Sequence, residues 1–445
     1  MSQVKLFSSS GGARVAKRSG RQKKQKVKKP LKTLAIWLLV ILCLEGLYFF
    51  CIYTNNSFVK KWRTIYINTA MDTMRHQWLA TYFIPKDVID EVRYEYGLVK
   101  AGTVGKESTW GRTDPAPADQ TPSTSNDNIV TLDPNVTHET DQPDAEELTQ
   151  EELEKQAEEN FYSVFWELDR TSMETYLAEH PDTLANGWEH IYINEAGFDD
   201  EGTSIQSTFG EQVLAIDAYN GVLLLRISGK GYRGVLAVGK DPSRLSIEMA
   251  TTLGTAGQLS GTIAEAHNGV LAMNANGFLD PNGAGNGGLL AGYTMSNGKA
   301  YGDHFSAYAY KRIELHEDDL FYIKDALSPV SEDCTDAAEF TPALIVDGKK
   351  IMDDYWTGEQ PRACIGQSEK YEILMLVIEG RMVGRSIGTD IEECAEILKR
   401  HKCYTAMNLD GGTSAVMWYD GEYVTKCSNT SISSRLLPNA WVYAR

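Results

Sequence analysis

One apolar run sets the plan of this chain. Residues 34–53 read LAIWLLVILCLEGLYFFCIY, broken only by Glu45. Twenty helical residues at about 1.5 Å each reach about 30 Å, the thickness of a bilayer's hydrocarbon core. Tyr48, Phe49, Phe50 and Tyr53 cluster at one end, where ring-bearing side chains favour the membrane interface. Residues 1–44 hold eleven Lys or Arg and no Asp or Glu, and such charge stays on the cytoplasmic side of a span. The residues that follow, Thr54-Asn55-Asn56-Ser57-Phe58, offer no small-residue cleavage site. The expectation is an uncleaved single-pass anchor in the cell membrane. It has a basic cytoplasmic tail at 1–33, a transmembrane helix at 34–53 and everything beyond on the extracellular side.

Beyond the tail the charge reverses. Residues 45–445 carry 32 basic and 61 acidic side chains, a net of −29. Nucleic acid is therefore excluded as a partner, because a phosphate backbone needs a dense basic face. The one basic cluster, from Lys17 to Lys32, is the topology signal beside the span. Five of the seven cysteines, Cys334, Cys364, Cys394, Cys403 and Cys427, fall outside the membrane. An odd number leaves at least one thiol out of any intramolecular bridge.

Residues 54–100 predict a helical membrane-proximal stalk. Phe58, Trp62, Ile65, Met71, Met74, Trp78 and Leu79 recur near helical spacing, and Pro85 separates a second stretch from Val88 to Tyr96. Residues 101–150 are rich in Pro, Ser, Thr, Asp and Glu. They have too few large apolar groups to offset chain entropy, so an acidic disordered linker is expected. Residues 151–445 form the globular part. Apolar runs at 213–216, 222–225, 235–238, 270–273, 343–346, 373–378 and 404–407 read as strands. Helices are expected from Ser243 and over 390–401, the latter with Thr389 or Asp390 as N-cap and Ile391, Cys394, Ala395 and Leu398 as its apolar stripe. Asp420-Gly421 reads as a hairpin turn. The fold class is α+β (mixed α/β), preceded by one transmembrane helix and the linker.

Three stretches could carry chemistry. Asn408-Leu409-Asp410-Gly411-Gly412-Thr413-Ser414 leaves a buried strand with a carboxylate, two glycines and two hydroxyls. Glycines allow close approach of a ligand, and successive N–H groups in such a turn can cradle an anion. Asp410 could act as acid, base or metal ligand; the bland alternative is a tight turn capped by its own carboxylate. Asn274-Ala275-Asn276-Gly277-Phe278-Leu279-Asp280 leaves another strand and runs into a glycine-rich loop at 283–288. Arg362 enters an apolar strand in Pro361-Arg362-Ala363-Cys364-Ile365-Gly366, and needs either a substrate phosphate or a structural carboxylate as partner.

Taken in order, these signatures resemble the phosphodiester glycosidase family. The matching elements are Asn276-Gly277-Phe278, Arg362 to Gly366, Leu409 to Ser414, and Arg435 ahead of Asn439-Ala440. The resemblance covers roughly residues 200–445. This chain reads Asn-Ala-Asn-Gly-Phe where the family has Asn-Gly-Gly-Phe, so either Asn274 or Asn276 takes the family's Asn role.

The resemblance implies a hydrolase that cuts a sugar from a sugar-1-phosphodiester, in cell-surface polysaccharide or cell-wall glycan metabolism. Asp410 and Arg362 would be catalytic. Asn274, Asn276, Gly277, Asn408, Gly411, Gly412, Thr413, Ser414 and Arg435 would bind substrate. No cofactor is required, although a divalent cation on Asp410 and Asp280 could offset the acidic body. Two alternatives are a non-catalytic glycan-binding or exopolysaccharide assembly factor on the same scaffold, and a conventional two-carboxylate glycosidase drawing on Asp280, Asp347 and Asp410.

Overall fold

The computed structural model describes residues 29–73, 76–111, 149–199, 201–281, 284–306, 309–351 and 357–445. In it, the most continuous apolar runs become the strands Val222–Gly229, Tyr232–Gly239 and Ile373–Ile378. Successive side chains of a strand point to opposite faces. Ile373, Met375 and Val377 therefore enter one apolar layer, and Leu374, Leu376 and Ile378 enter another. Val222 and Leu224 divide from Leu223 and Leu225 in the same way. A sheet covered on both faces has no polar side to show, so its sequence loses the usual alternation.

These strands form the middle of a nine-stranded sheet. Its order is Tyr192–Asn194, Gln212–Asp217, Val222–Gly229, Tyr232–Gly239, Ile373–Ile378, Arg362–Ser368, Cys403–Asn408, Ala343–Val346 and Lys349–Lys350, with every pairing antiparallel. The helices in chain order are α1 (Lys29–Tyr53), α2 (Ser57–Met71), α3 (Trp78–Thr81), α4 (Lys86–Ala101), α5 (Gln150–Val164), α6 (Arg170–Glu179), α7 (Ser260–Ala266) and α8 (Ile391–Arg400). Phe161 of α5, Met173 of α6 and Cys394 and Leu398 of α8 cover one face of the sheet. Two five-stranded sheets supply the opposite layer. One runs Glu422–Tyr423, Met417–Tyr419, Gly269–Asn274, Asn439–Ala444, Leu245–Met249, and buries Met273, Met417 and Trp441. The other is centred on Cys334–Phe340 and Lys311–His316, and contributes Ile313 and Phe321.

Several local readings hold. Asp390 is the N-cap of α8, its carboxylate accepting from the Glu393 N–H at 2.8 Å. Asp420 and Gly421 adopt φ of 42° and 100° between strands paired Tyr419 to Glu422, which is the left-handed pair a two-residue hairpin needs. The helix expected from Ser243 does not form. Pro242–Arg244 is a single 3₁₀ turn and Leu245–Met249 is a strand. Leu245 and Ile247 face inward two residues apart because Asn439–Ala444, nearly 200 residues later, pairs with them.

Residues 1–59 and 60–445 form two units. In the first, residues 32–53 of α1 are long and apolar enough to cross a membrane. The basic tail up to Lys28 lies outside the described residues. The stalk segment becomes α2, which begins at Ser57 just before the second unit, and α3 and α4 within it, with Pro85 as N-cap of α4. Of the expected linker, residues 112–148 lie outside the described residues. Residues 103–110 pack on the domain. Lys311 Nζ donates to the Thr103 carbonyl at 2.6 Å, Ser108 N–H to the Ile323 carbonyl at 2.9 Å, and the Trp110 indole to the Phe321 carbonyl at 2.7 Å.

A candidate active site around Asp410

The site forms where a strand of the nine-stranded sheet and a strand of a five-stranded sheet end side by side. Asn408 closes the strand Cys403–Asn408, and Asn274 closes Gly269–Asn274. The Asn274 amide donates to the Asp410 carbonyl at 2.7 Å and so ties the two ends together. Gly411 and Gly412 make the turn possible. A Cβ on Gly411 would lie 2.5 Å from the Pro361 carbonyl oxygen, and Gly412 holds φ at 62°. The Gly412 N–H donates to the Pro361 carbonyl at 3.2 Å. That amide is therefore occupied, contrary to the expectation that it cradles an anion.

The Asp410 carboxyl lies in the resulting recess, facing Gly277. A Cβ at Gly277 would come within 3.9 Å of the Asp410 Cγ. Burial raises the Asp410 pKa to about 6. A hydrogen bond from Ser414 and the positive charges of Arg435 and Arg381 oppose the rise, and Asp280 adds to it. Tyr310 stands near enough for Asp410 to help burial raise its phenol pKa.

Two arginines frame the carboxyl differently. Arg435 is neutralised: its Nη1 donates to Asp280 at 2.6 Å and to the Thr413 hydroxyl at 3.3 Å, its Nη2 donates to the Gly285 carbonyl at 2.9 Å, and its guanidinium covers the Phe278 ring at 4.5 Å. Arg381 projects from the loop after Ile373–Ile378. It donates from Nε and Nη2 to the Gln360 side-chain carbonyl at 3.1 and 2.7 Å, and its Nη1 lies 3.2 Å from where a Gly412 Cβ would stand. Its partner is a neutral amide, and among the described residues no carboxylate forms an ion pair with it. Arg381 lies between Gly380 and Gly384 just after a strand end, a signal of the same kind as the motifs above, and the fold brings it and Gln360 near Asp410.

Other expected site residues are placed in supporting roles. Arg362 donates to the carbonyls of Thr389 at 3.1 Å and Gly358 at 2.5 Å. Among the described residues no carboxylate forms an ion pair with it, and these two bonds join two loops that flank the site. Asn276 is held at both ends of its amide: it donates to the Tyr293 carbonyl at 3.0 Å, and its oxygen accepts from Thr294 at 2.5 Å and from Asn439 at 3.1 Å. Asn408 donates to the Thr341 carbonyl at 2.8 Å. Of the three asparagines, Asn274 alone keeps a buried side-chain oxygen without a hydrogen-bond partner.

The carboxylates expected as rivals or metal ligands are also occupied. Asp347 accepts from the Thr109 and Trp110 N–H groups at 3.0 and 3.1 Å, at the turn after Ala343–Val346. Asp280 accepts from the Gly285 N–H at 2.6 Å as well as from Arg435. No group of three or more His, Cys, Asp or Glu suited to a metal ion occurs among the described residues. Each oxygen of Asp280 thus holds one donor.

Residues 267–444 match the model of the phosphodiester glycosidase family. That segment holds Asn274, Gly277, Asp280, Arg362, Arg381, Asp410 to Ser414 and Arg435, so the site described above lies wholly within the phosphodiester glycosidase match. Among solved structures, the catalytic domain of zebrafish N-acetylglucosamine-1-phosphodiester alpha-N-acetylglucosaminidase, auto-inhibited by its pro-peptide, is similar at 13% identity. The similarity covers 59% of this chain and 90% of that one, with a TM-score of 0.41. A hypothetical protein from Synechocystis is 14% identical over 52% of this chain and 63% of its own, with a TM-score of 0.36. No curated protein matches.

Proposed function

We propose that this protein is a membrane-anchored hydrolase that releases a sugar from a sugar-1-phosphodiester outside the cell. The observation that carries the reading is Arg381, a guanidinium held by an amide and without an ion pair among the described residues, close enough for its charge to act on Asp410, a carboxyl whose pKa is lifted to about 6. An anionic diester needs local positive charge, since the acidic body offers no long-range attraction. Arg381 supplies it, and a planar guanidinium suits phosphate oxygens.

At neutral pH a carboxyl with a pKa near 6 is mostly ionised and still basic enough to take a proton. Asp410 accepts one from water as the water oxygen bonds to the anomeric carbon. The bond from that carbon to the phosphate oxygen breaks, and the electron pair leaves with the phosphate as a phosphomonoester. Arg381 stabilises that leaving charge, so a second carboxyl as general acid is not needed. Helix α1 crosses the membrane, with the basic tail in the cytoplasm and residues 60–445 outside.

The test is sugar release by the full chain from a panel of sugar-1-phosphodiesters, compared with Asp410→Asn. The full chain is required because residues 103–110 are bonded into the domain. Release that is lost in the variant supports the reading. Saturable glycan binding without release by either protein favours a glycan-binding factor on the same scaffold.

A further inference from the structure

Helices α2 and α3 turn a set of aromatic rings to the outside. Trp62 and Tyr66 lie one turn apart on α2, 48% and 43% exposed. Trp78 on α3 and Tyr82 and Phe83 just after it are 54%, 82% and 52% exposed. The Tyr66 hydroxyl donates to the Leu79 carbonyl at 2.8 Å, joining the two helices into one surface. Ile65, Ile67 and Ala70 of α2 are buried, so the helix is amphipathic with its largest rings facing away from the domain. Five exposed aromatics in 22 residues are more than single scattered surface residues would explain.

Two observations identify what covers this surface. Only residues 54–56 separate α1 from α2, and three residues span at most about 11 Å when fully extended. If α1 spans the bilayer, α2 must start at its headgroup layer. The sequence of α2 also contains Lys60, Lys61 and Arg63 and no acidic residue, with Lys60 paired to Glu95 of α4 at 3.0 Å, in a body with a net charge of −29 beyond residue 44. Aromatic rings with basic neighbours match the interface of a bilayer containing anionic lipid.

We infer that the face formed by Trp62, Tyr66, Trp78, Tyr82 and Phe83 is seated in the headgroup layer of the outer leaflet. This holds the domain against the membrane instead of leaving it on a free tether. The inference rests on the reading of α1 as a membrane span.

The full chain, reconstituted in vesicles of phosphatidylcholine and phosphatidylglycerol, tests it. Lipids brominated at shallow or at deep acyl positions quench tryptophan that they touch. Comparing Trp37→Phe with Trp37→Phe/Trp62→Phe/Trp78→Phe isolates the emission of Trp62 and Trp78, and the Phe replacements keep an aromatic ring at two half-exposed positions, so that the fold is retained. The expected result is that this emission falls at least twofold in shallow-brominated vesicles and falls less in deep-brominated ones. Equal emission in brominated and ordinary lipid overturns the inference. So does unquenched emission with cross-linking between chains, which would assign the face to a second copy. Carbonate extraction separates the two levels. Chain that is stripped from the vesicles refutes the span and the inference together, whereas chain that is retained but unquenched refutes the inference alone.

Discussion

Burial lifts the Asp410 pKa from 3.8 to about 6, and that shift governs both chemistry and stability. A carboxyl whose folded pKa lies above its unfolded value binds more protons folded than unfolded between those two values. Its contribution therefore falls as pH rises from about 3.8 to about 6 and then stays flat. The ionised form costs the native state on the order of 3 kcal/mol at neutral pH. Asp410→Asn should abolish sugar release and raise the denaturation midpoint, measured by urea unfolding at pH 7. The stability gain should vanish near pH 4, where wild-type Asp410 is protonated. On the proposed mechanism, kcat/KM of the wild-type protein should drop tenfold per pH unit below about 6, as the base is lost. Arg381→Lys should raise KM for the diester by roughly tenfold, about 1.4 kcal/mol, with a smaller change in kcat. A point charge keeps the attraction but loses the planar fork. Asp410 and Asn274 could be read from the sequence because each sits at a strand end or in a glycine-bearing motif, and Arg435 from the family resemblance. Arg381 follows a strand between Gly380 and Gly384, but its role depends on Gln360, 21 positions earlier, reaching it in space. Arg362 was the more conspicuous arginine, yet its donors close on backbone carbonyls.

At the scale of elements, the loop before the strand Arg362–Ser368 links the membrane-proximal helices to the site. Gly358 packs on the end of α2 so closely that a Cβ would lie 2.4 Å from the Thr69 nitrogen. The Glu359 N–H donates to the Thr69 hydroxyl at 3.0 Å, and the Gln360 amide to the Thr69 carbonyl at 2.7 Å. The oxygen of that same Gln360 side chain holds Arg381. Helix α2 thus positions Arg381 through one amide. Gly358→Val should push α2 away, which would appear as faster amide hydrogen exchange over 60–72 and as a several-fold rise in KM, with the nine-stranded sheet unaffected. In that sheet, Leu376→Ala should destabilise by about 2–5 kcal/mol, because Leu376 is fully buried in the layer beneath α8. The central strands were legible as uninterrupted apolar runs, and α8 by its cap and stripe. The strand Leu245–Met249 was not, since its identity comes from pairing with Asn439–Ala444. The contact of α2 with Gly358 was equally hidden. A helix with an apolar stripe reports that it packs, not on what.

For the whole molecule, the same helix carries the aromatic surface and the contact that holds Arg381. Tyr66 and Thr69 are three residues apart on α2, a rise of about 4.5 Å along the axis. Seating Tyr66 at the headgroup layer would therefore keep the chain of contacts from Thr69 through Gln360 to Arg381 close to the bilayer. A substrate fixed to the membrane surface would meet this site at a high effective concentration, whereas a soluble one would have to diffuse into a strongly acidic neighbourhood. Reconstituted full chain should accordingly turn over a lipid-linked sugar phosphodiester in the same vesicles faster than a soluble diester of the same sugar at equal bulk concentration. Dissolving the vesicles in detergent should remove most of that advantage without lowering the rate on the soluble diester. If the two substrates were turned over equally in intact vesicles, Arg381 and Asp410 could still be the catalytic pair, but the membrane would serve only as a tether.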